Sequence, residues 1–198
     1  MPDIEKLTRN LEREGFSVSR FATAKECSDY LDAQLDGAVI GFGGSQTVRD
    51  MGLFDRLKIH NECIWHWDPE RKVVPEEATG AEVYISSFNG VSENGELINI
   101  DGRGNRAAST LFGHKKLYFI IGVNKILPDY ASALDHARNV AGPLNAKRLG
   151  VNTPCVKVGH CCDCRSPERI CRALVVFWEK PFGCGEAEII IVEEPLGY

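Results

Sequence analysis

Eight cysteines occur in the 198-residue chain, and five of them fall between Cys155 and Cys171. Cys155, Cys161, Cys164 and Cys171 give the spacing C-x5-C-x2-C-x6-C. Four thiolates this close in sequence can converge on one metal centre, and Gly159 and Pro167 help the segment turn back on itself. Zinc and a 4Fe-4S cluster both accept four cysteines. Structural zinc sites commonly pair two short knuckles. Here there is one, Cys161 to Cys164, flanked by longer arms, which favours the cluster over zinc. Lys157, Arg165, Arg169 and Arg172 would offset the negative charge of the thiolates. Cys162 and His160 are substitutes for Cys161 as ligand. The plainer alternatives are a disulfide pair with free thiols, or unligated cysteines. Cys27 and Cys63 stand alone and read as ordinary buried thiols.

A second group of residues has the chemistry of an anion site. Gly41-Phe42-Gly43-Gly44-Ser45-Gln46-Thr47 follows an apolar run and precedes a helical pattern. Glycines let a backbone approach a ligand closely, a helix start offers unpaired N–H groups, and Ser45 and Thr47 add hydroxyls. Such a turn suits phosphate or carboxylate. It lacks the P-loop lysine and the full G-x-G-x-x-G spacing. Its alternative is a tight strand-to-helix turn with Ser45 as N-cap. Ser86-Ser87-Phe88-Asn89-Gly90 follows another strand pattern, at the end where open α/β sheets bind ligands. Asp101-Gly102-Arg103-Gly104-Asn105-Arg106 packs an acid, two arginines and an asparagine together. Asn105 and Arg106 open the next helix and read as ligand-facing, Arg103 as part of a surface Asp–Arg turn. Lys125, in Gly122-Val123-Asn124-Lys125 at a strand end, could reach the same edge. Ser92-Glu93-Asn94-Gly95 resembles the loop carrying the glutamate nucleophile of class I CoA transferases, although Asn94-Gly95 is already explained as a type I′ hairpin turn.

These groups must be held by a framework, and helical and strand patterns alternate along the chain. Ile4, Leu7 and Leu11 recur at helical spacing before Gly15, and Thr23 with Glu26 forms a capping box for a second helix. Ala38–Phe42, Ile64-Trp65, Val83–Ile85 and Leu117–Ile121 read as strands, Thr47–Leu57 and Asp129–Ala141 as helices, the latter burying Leu134, Ala137, Val140 and Ala141. Strands separated by helices imply a parallel sheet covered on both faces. Ala173–Trp178 and Ile189–Val192, joined through Pro181, Gly183 and Gly185, read as a terminal hairpin. Residues 1–150 form the expected α/β unit, and 151–198 the cysteine segment with terminal strands that complete it.

Composition narrows the function. The apolar share of 43% and charged share of 26% are those of a globular protein. A formal charge of −5 argues against a sequence-independent grip on nucleic acid or an anionic membrane. No run approaches a bilayer span, and Met1-Pro2-Asp3-Ile4-Glu5-Lys6 has no secretory pattern, so the expected compartment is the cytoplasm. There the cysteines are not read as disulfides.

Several strings occur in one order: Gly43-Gly44-Ser45-Gln46-Thr47, Ser87-Phe88-Asn89, Gly95-Glu96-Leu97, Ile100 to Arg106, Gly122 to Lys125, and the cysteine run. This resembles the LUD domain family, named after lactate utilization proteins B and C, and in particular its short bacterial branch with a C-terminal cysteine motif. Gly90 stands where alanine is expected, which would loosen that loop. The resemblance implies a parallel-sheet three-layer domain similar to the sugar-phosphate isomerase and CoA transferase group. It also implies that Gly43, Gly44, Ser45, Thr47, Asn89, Asp101, Asn105, Arg106 and Lys125 gather around one pocket for a small anionic metabolite. The expected function is an iron–sulfur protein linked to lactate or 2-hydroxy acid oxidation, with an iron–sulfur or redox protein partner. The alternatives are a sugar-phosphate or CoA-thioester enzyme with structural zinc and Glu93 or Asp101 as the working carboxylate, and a non-catalytic metal-binding regulatory module.

Overall fold

The structure is a computed structural model that describes residues 1–198. The first helix, α1 (Ile4–Arg13), begins at Asp3, whose carboxylate accepts the Lys6 N–H, and buries Leu7 and Leu11. After β1 (Ser17–Phe21), Thr23 and Glu26 close the expected capping box on α2 (Ala24–Gln34). β2 (Val39–Phe42) leads into α3 (Gln46–Asp50) and α4 (Leu53–Leu57). The single helix expected over Thr47–Leu57 is thus two short ones, parted where Gly52 turns left-handed at φ +61°. Next come β3 (Glu62–Trp65), β4 (Val83–Ser86), β5 (Gly90–Ser92) and β6 (Leu97–Asp101). They are followed by α5 (Asn105–Leu111), β7 (Lys116–Gly122) and β8 (Ile126–Leu127). Then α6 (Tyr130–His136), capped by Asp129, runs through a π turn (Ala137–Ala141) into α7 (Gly142–Arg148). The chain ends with α8 (Pro154–Val158), β9 (Ala173–Phe177) and β10 (Glu186–Val192).

Six strands form one wholly parallel sheet in the order β1-β10-β7-β4-β2-β3. Both faces are covered, so its central strands are apolar on both sides. On one face Tyr118, Ile120, Ile190 and Val192 pack with Leu31 of α2 and with Leu53 and Leu57 of α4. On the other, Leu117, Phe119, Ile121, Ile189 and Ile191 meet Leu7 and Leu11 of α1. That second face also meets a smaller sheet, β8-β5-β6-β9, through Val91, Leu97 and Phe177. The outer side of the small sheet is closed by Ala133 and Ala137 against Ile98. The result is the expected mixed α/β layering with a parallel sheet between helices. No helix is long and apolar enough to cross a membrane.

Four further expectations need correction. Ala173–Trp178 and Ile189–Val192 do not form a hairpin. β9 pairs with β6 in the small sheet, while β10 inserts between β1 and β7. The physical reason is in β10 itself: six of its seven residues are buried, which no edge hairpin would satisfy. The β5–β6 hairpin exists, but its turn is not type I′. Only Gly95 has positive φ, at 113°, and the Gly95 N–H reaches the Ser92 carbonyl, so a three-residue loop with a left-handed third position joins the strands. Val140 is exposed while Ala133, Ala137 and Ala141 are buried, because the wider π turn rotates it off the buried face. Gly90 does not loosen its loop. It opens β5 in a fully buried position, and a Cβ there would collide with the Ala133 carbonyl oxygen.

Candidate functional site

A cavity of about 430 Å3 lies past the C-terminal ends of β2, β3 and β4, against the loop after β6 and the segment after β7. Gly44, Ser45, Asn89, Asp101, Asn105, Arg106 and Lys125 all line it. Gly43 and Thr47 stand behind the wall. The Gly43 carbonyl accepts the Trp65 indole N–H at 3.0 Å, and Thr47 Oγ1 accepts from Lys125 Nζ at 2.6 Å while donating to the Leu196 carbonyl. The Ser45 hydroxyl accepts the Val48 N–H at 3.3 Å, so it caps the short α3, as the plainer reading allowed.

Asp101 is the one acid on the cavity wall, and it is spent on structure. Its two oxygens accept the backbone N–H groups of Arg103, Gly104 and Ala107 at 2.8 to 3.1 Å. Burial raises its pKa, but those three donors and the Arg106 guanidinium outweigh that and hold it below the ordinary carboxylate value. The carboxylate thereby fixes the start of α5 and aims Arg106. The Arg106 guanidinium donates to Asn89 Oδ1 at 2.9 Å and to the Ile100 carbonyl at 2.8 Å. Lys125 is 3% exposed, and its Nζ donates to Thr47 Oγ1 and Ser87 Oγ, with no carboxylate partner. Burial, aided by the nearby Arg106 charge, pulls its pKa down to about 7.

Arg103 is exposed in the turn after β6, as expected, but its side chain forms no ion pair with Asp101 and lines the cavity. Arg148, Arg169 and Arg172 line it too, together with His66, Trp67, Ser87 and Tyr198. Arg148 lies 4.1 Å over the Trp67 ring and donates to the Tyr198 hydroxyl at 3.0 Å. His66, Trp67, Arg148 and Tyr198 escape sequence reasoning because they arrive from the ends of β3 and α7 and from the last residues. No local spacing links those places. Glu93 lies elsewhere: its carboxylate accepts the Asp3 N–H at 2.9 Å and pairs with Lys6, against α1 and off the cavity wall.

Cys155, Cys161, Cys162, Cys164 and Cys171 line an adjacent cavity of about 290 Å3, and no cysteine of the chain is in a disulfide. α8 presents Cys155, whose sulfur lies 3.2 Å from Thr153 Oγ1. Cys161 is anchored by its N–H to Asn139 Oδ1, and its sulfur accepts from Arg138 at 3.5 Å and from the Asp163 N–H at 3.4 Å. The Cys171 sulfur accepts from Arg169 at 3.4 Å. Cys162 is exposed and turns its thiol to its own segment's His160 carbonyl. Burial and the neighbouring Cys155, Cys161 and Cys164 push its thiol pKa up. As the side chains stand, no three His, Cys, Asp or Glu groups are close enough to hold a single metal ion. Four sulfurs on one cavity wall, two of them already accepting from guanidinium groups, suit a thiolate-held group of some size. Of the cations expected to offset such charge, Arg169 and Arg172 line this cavity, while Lys157 and Arg165 do not. Arg138, delivered by the π turn, was not foreseen.

The two cavities share a wall built from Ile100, Ala137, Gly142, Arg169, Ile170, Cys171 and Arg172. Gly102 lies directly against the Ile170 carbonyl, where a Cβ would come within 2.6 Å of its oxygen. The Arg172 N–H donates to the Asp101 carbonyl at 2.9 Å.

Among solved structures, the fold is similar to that of a DUF162 family protein from Deinococcus radiodurans. The TM-score is 0.56 at 11% identity, over 96% of this chain and 95% of that one, a likeness that speaks for the fold alone. No curated protein matches the chain significantly. The LUD domain family model matches residues 4–192, from the first turn of α1 to the last residue of β10, and the chain belongs to the LUD domain family.

Proposed function

We propose that this LUD-domain chain holds a 4Fe-4S cluster on Cys155, Cys161, Cys164 and Cys171 and binds a small carboxylate or phosphate anion beside it, in the service of lactate-type 2-hydroxy acid oxidation. The observation that carries the reading is the wall shared by the two cavities, with Cys171 on both. A bound cluster supplies one-electron transfer. The chain's own residues do the rest. Arg106 and Lys125 meet the anion, Asn89 and Asp101 hold Arg106 in place, and Arg138 and Arg169 donate to the Cys161 and Cys171 sulfurs. No flavin or nicotinamide motif is present, so an electron acceptor would be a redox protein partner. Eight cysteines without a disulfide suit a reducing cytoplasm. The sugar-phosphate or thioester alternative loses support because Glu93, in the β5–β6 turn, is held against the start of α1 off the cavity wall, and the oxygens of Asp101 are engaged by backbone.

Protein purified without oxygen is the test. The expected result is a brown sample with broad absorbance near about 400 nm and about four irons and four sulfides per chain. Cys155→Ser, Cys164→Ser and Cys171→Ser should each abolish the colour, and Cys161→Ser should do so where Cys162→Ser does not. A colourless protein carrying one zinc would replace the cluster with a structural metal.

A further inference from the structure

Six cations line the larger cavity: Arg103, Arg106, Lys125, Arg148, Arg169 and Arg172. None has a carboxylate within ion-pair distance, although the chain as a whole has an excess of acids and many of its other Lys and Arg side chains are paired. Like charges gathered around one cavity repel one another, most where they are least exposed, and an anion entering it relieves that. Arg169 donates to the Cys171 sulfur and Arg172 to the Pro167 and Arg169 carbonyls, so both are engaged with the cysteine segment. Four cations remain, and they fall into two pairs. Arg106 donates to Asn89 and the buried Lys125 to Ser87, two positions apart in the loop after β4, and Arg106 depresses the lysine's pKa. Arg103 and Arg148 lie at the outer end, both close enough to His66 to depress its pKa after burial has done so. The outer pair is built rather than incidental. Arg148 is clamped between the Trp67 ring and the Tyr198 and Asn145 side chains. His66 Nδ1 is buried there with no hydrogen-bond partner.

A ligand with a single carboxylate would meet one pair and leave the other, the exposed Arg103 with Arg148, without an anion. We infer that the cavity takes an organic bis-anion, with one anionic group on Arg106 and Lys125 and a second on Arg103 and Arg148, rather than a monoanionic 2-hydroxy acid. The shared chemistry is two separated anionic groups, supplied by a dicarboxylate or by a carboxylate that also bears a phosphate ester. This inference rests on the proposed anion site and names its ligand class.

Titration calorimetry at constant ionic strength tests it with lactate, malate and 3-phosphoglycerate as probes on the full chain. Malate or 3-phosphoglycerate should bind at least about tenfold more tightly than lactate, the worth of one added charge-assisted hydrogen bond. The tighter of the two identifies the second group as carboxylate or phosphate. Arg103→Gln should erase most of that preference while lowering lactate affinity less. The Arg103 side chain makes no hydrogen bond in the structure, so this variant should fold, and Arg148→Lys serves as a second. Arg106→Ala should weaken all three probes. Lactate binding as tightly as both bis-anions, or an Arg103→Gln variant that keeps the full preference, overturns the inference and leaves the anion site standing. Failure of all three probes to bind overturns the anion site and the inference with it.

Discussion

Lys125 shows how a single residue carries the site's chemistry and how little of that is visible in its neighbours along the chain. A lysine after a strand is ordinarily solvated. This one is buried because the segment after β10 folds over it, with the Leu196 carbonyl taking the hydrogen of Thr47 Oγ1 and Thr47 taking that of Lys125. Its folded pKa of about 7 lies below the ordinary 10.5. Between those values the unfolded chain holds a proton that the folded chain lacks, so stability rises with pH across the window. The cost of burying the amine is fully present below pH 7. From pH 7 to pH 9 the native protein should gain about 2 kcal/mol relative to Lys125→Met, read from urea midpoints of ligand-free protein. Parallel pH profiles would show that the amine titrates normally. The same sign governs binding: an anion favours the ammonium, so uptake near pH 8 should draw in a proton, visible as a heat of binding that changes with buffer. Asn89, Asp101, Asn105 and Arg106 were legible from the sequence because strand-end and helix-start positions announce them. Arg148, Trp67 and Tyr198 were not, because only the folded chain brings their segments to the β-strand ends.

At the level of elements, the sequence marks periodicity well and partnership poorly. The capping box on α2 and the apolar runs of β2, β4 and β7 appear where their residues place them, since each depends on neighbours a few positions away. β10 depends on strands far off in sequence. The glycines and proline before it mimic a hairpin turn, but the unbroken run Ile189-Ile190-Ile191-Val192 is what a central parallel strand requires. Ile190 is fully buried between β1 and β7 and packs in the α2–α4 core. Ile190→Ala should therefore cost about 2–5 kcal/mol in chemical denaturation. A loss under about 1 kcal/mol would fit a half-exposed hairpin strand instead. The loop after β6 carries a second test. Gly102 touches the Ile170 backbone, so Gly102→Ala must push the cysteine segment off this loop. The expected cost is about 1–3 kcal/mol, together with a lower metal content and weaker anion binding. A variant that retains both at the wild-type level would show that the two elements need not touch.

For the molecule as a whole, that contact joins two functions that the sequence presents as separate. The cysteine run and the Asp101–Arg106 loop lie far apart along the chain, yet β9 pairs with β6 directly after the one and before the other. The Arg172 N–H on the Asp101 carbonyl carries that pairing to the edge of both cavities. Asp101 in turn fixes the start of α5 and with it Arg106. A metal centre that orders the segment from Cys155 to Cys171 would therefore set the position of the anion's main ligand. Equilibrium coupling of this kind is reciprocal, typically about 5- to 150-fold. Protein without its metal should bind the anion more weakly by some factor, and saturating anion should raise the affinity for the metal by the same factor. The measurement is a chelator competition with and without malate, paired with calorimetry on metal-loaded and metal-free protein. Gly102→Ala, which pushes the loop and the cysteine segment apart, should reduce the coupling. Identical anion affinities in the loaded and stripped protein would mean that the shared wall is rigid without its metal, and that the two cavities work independently.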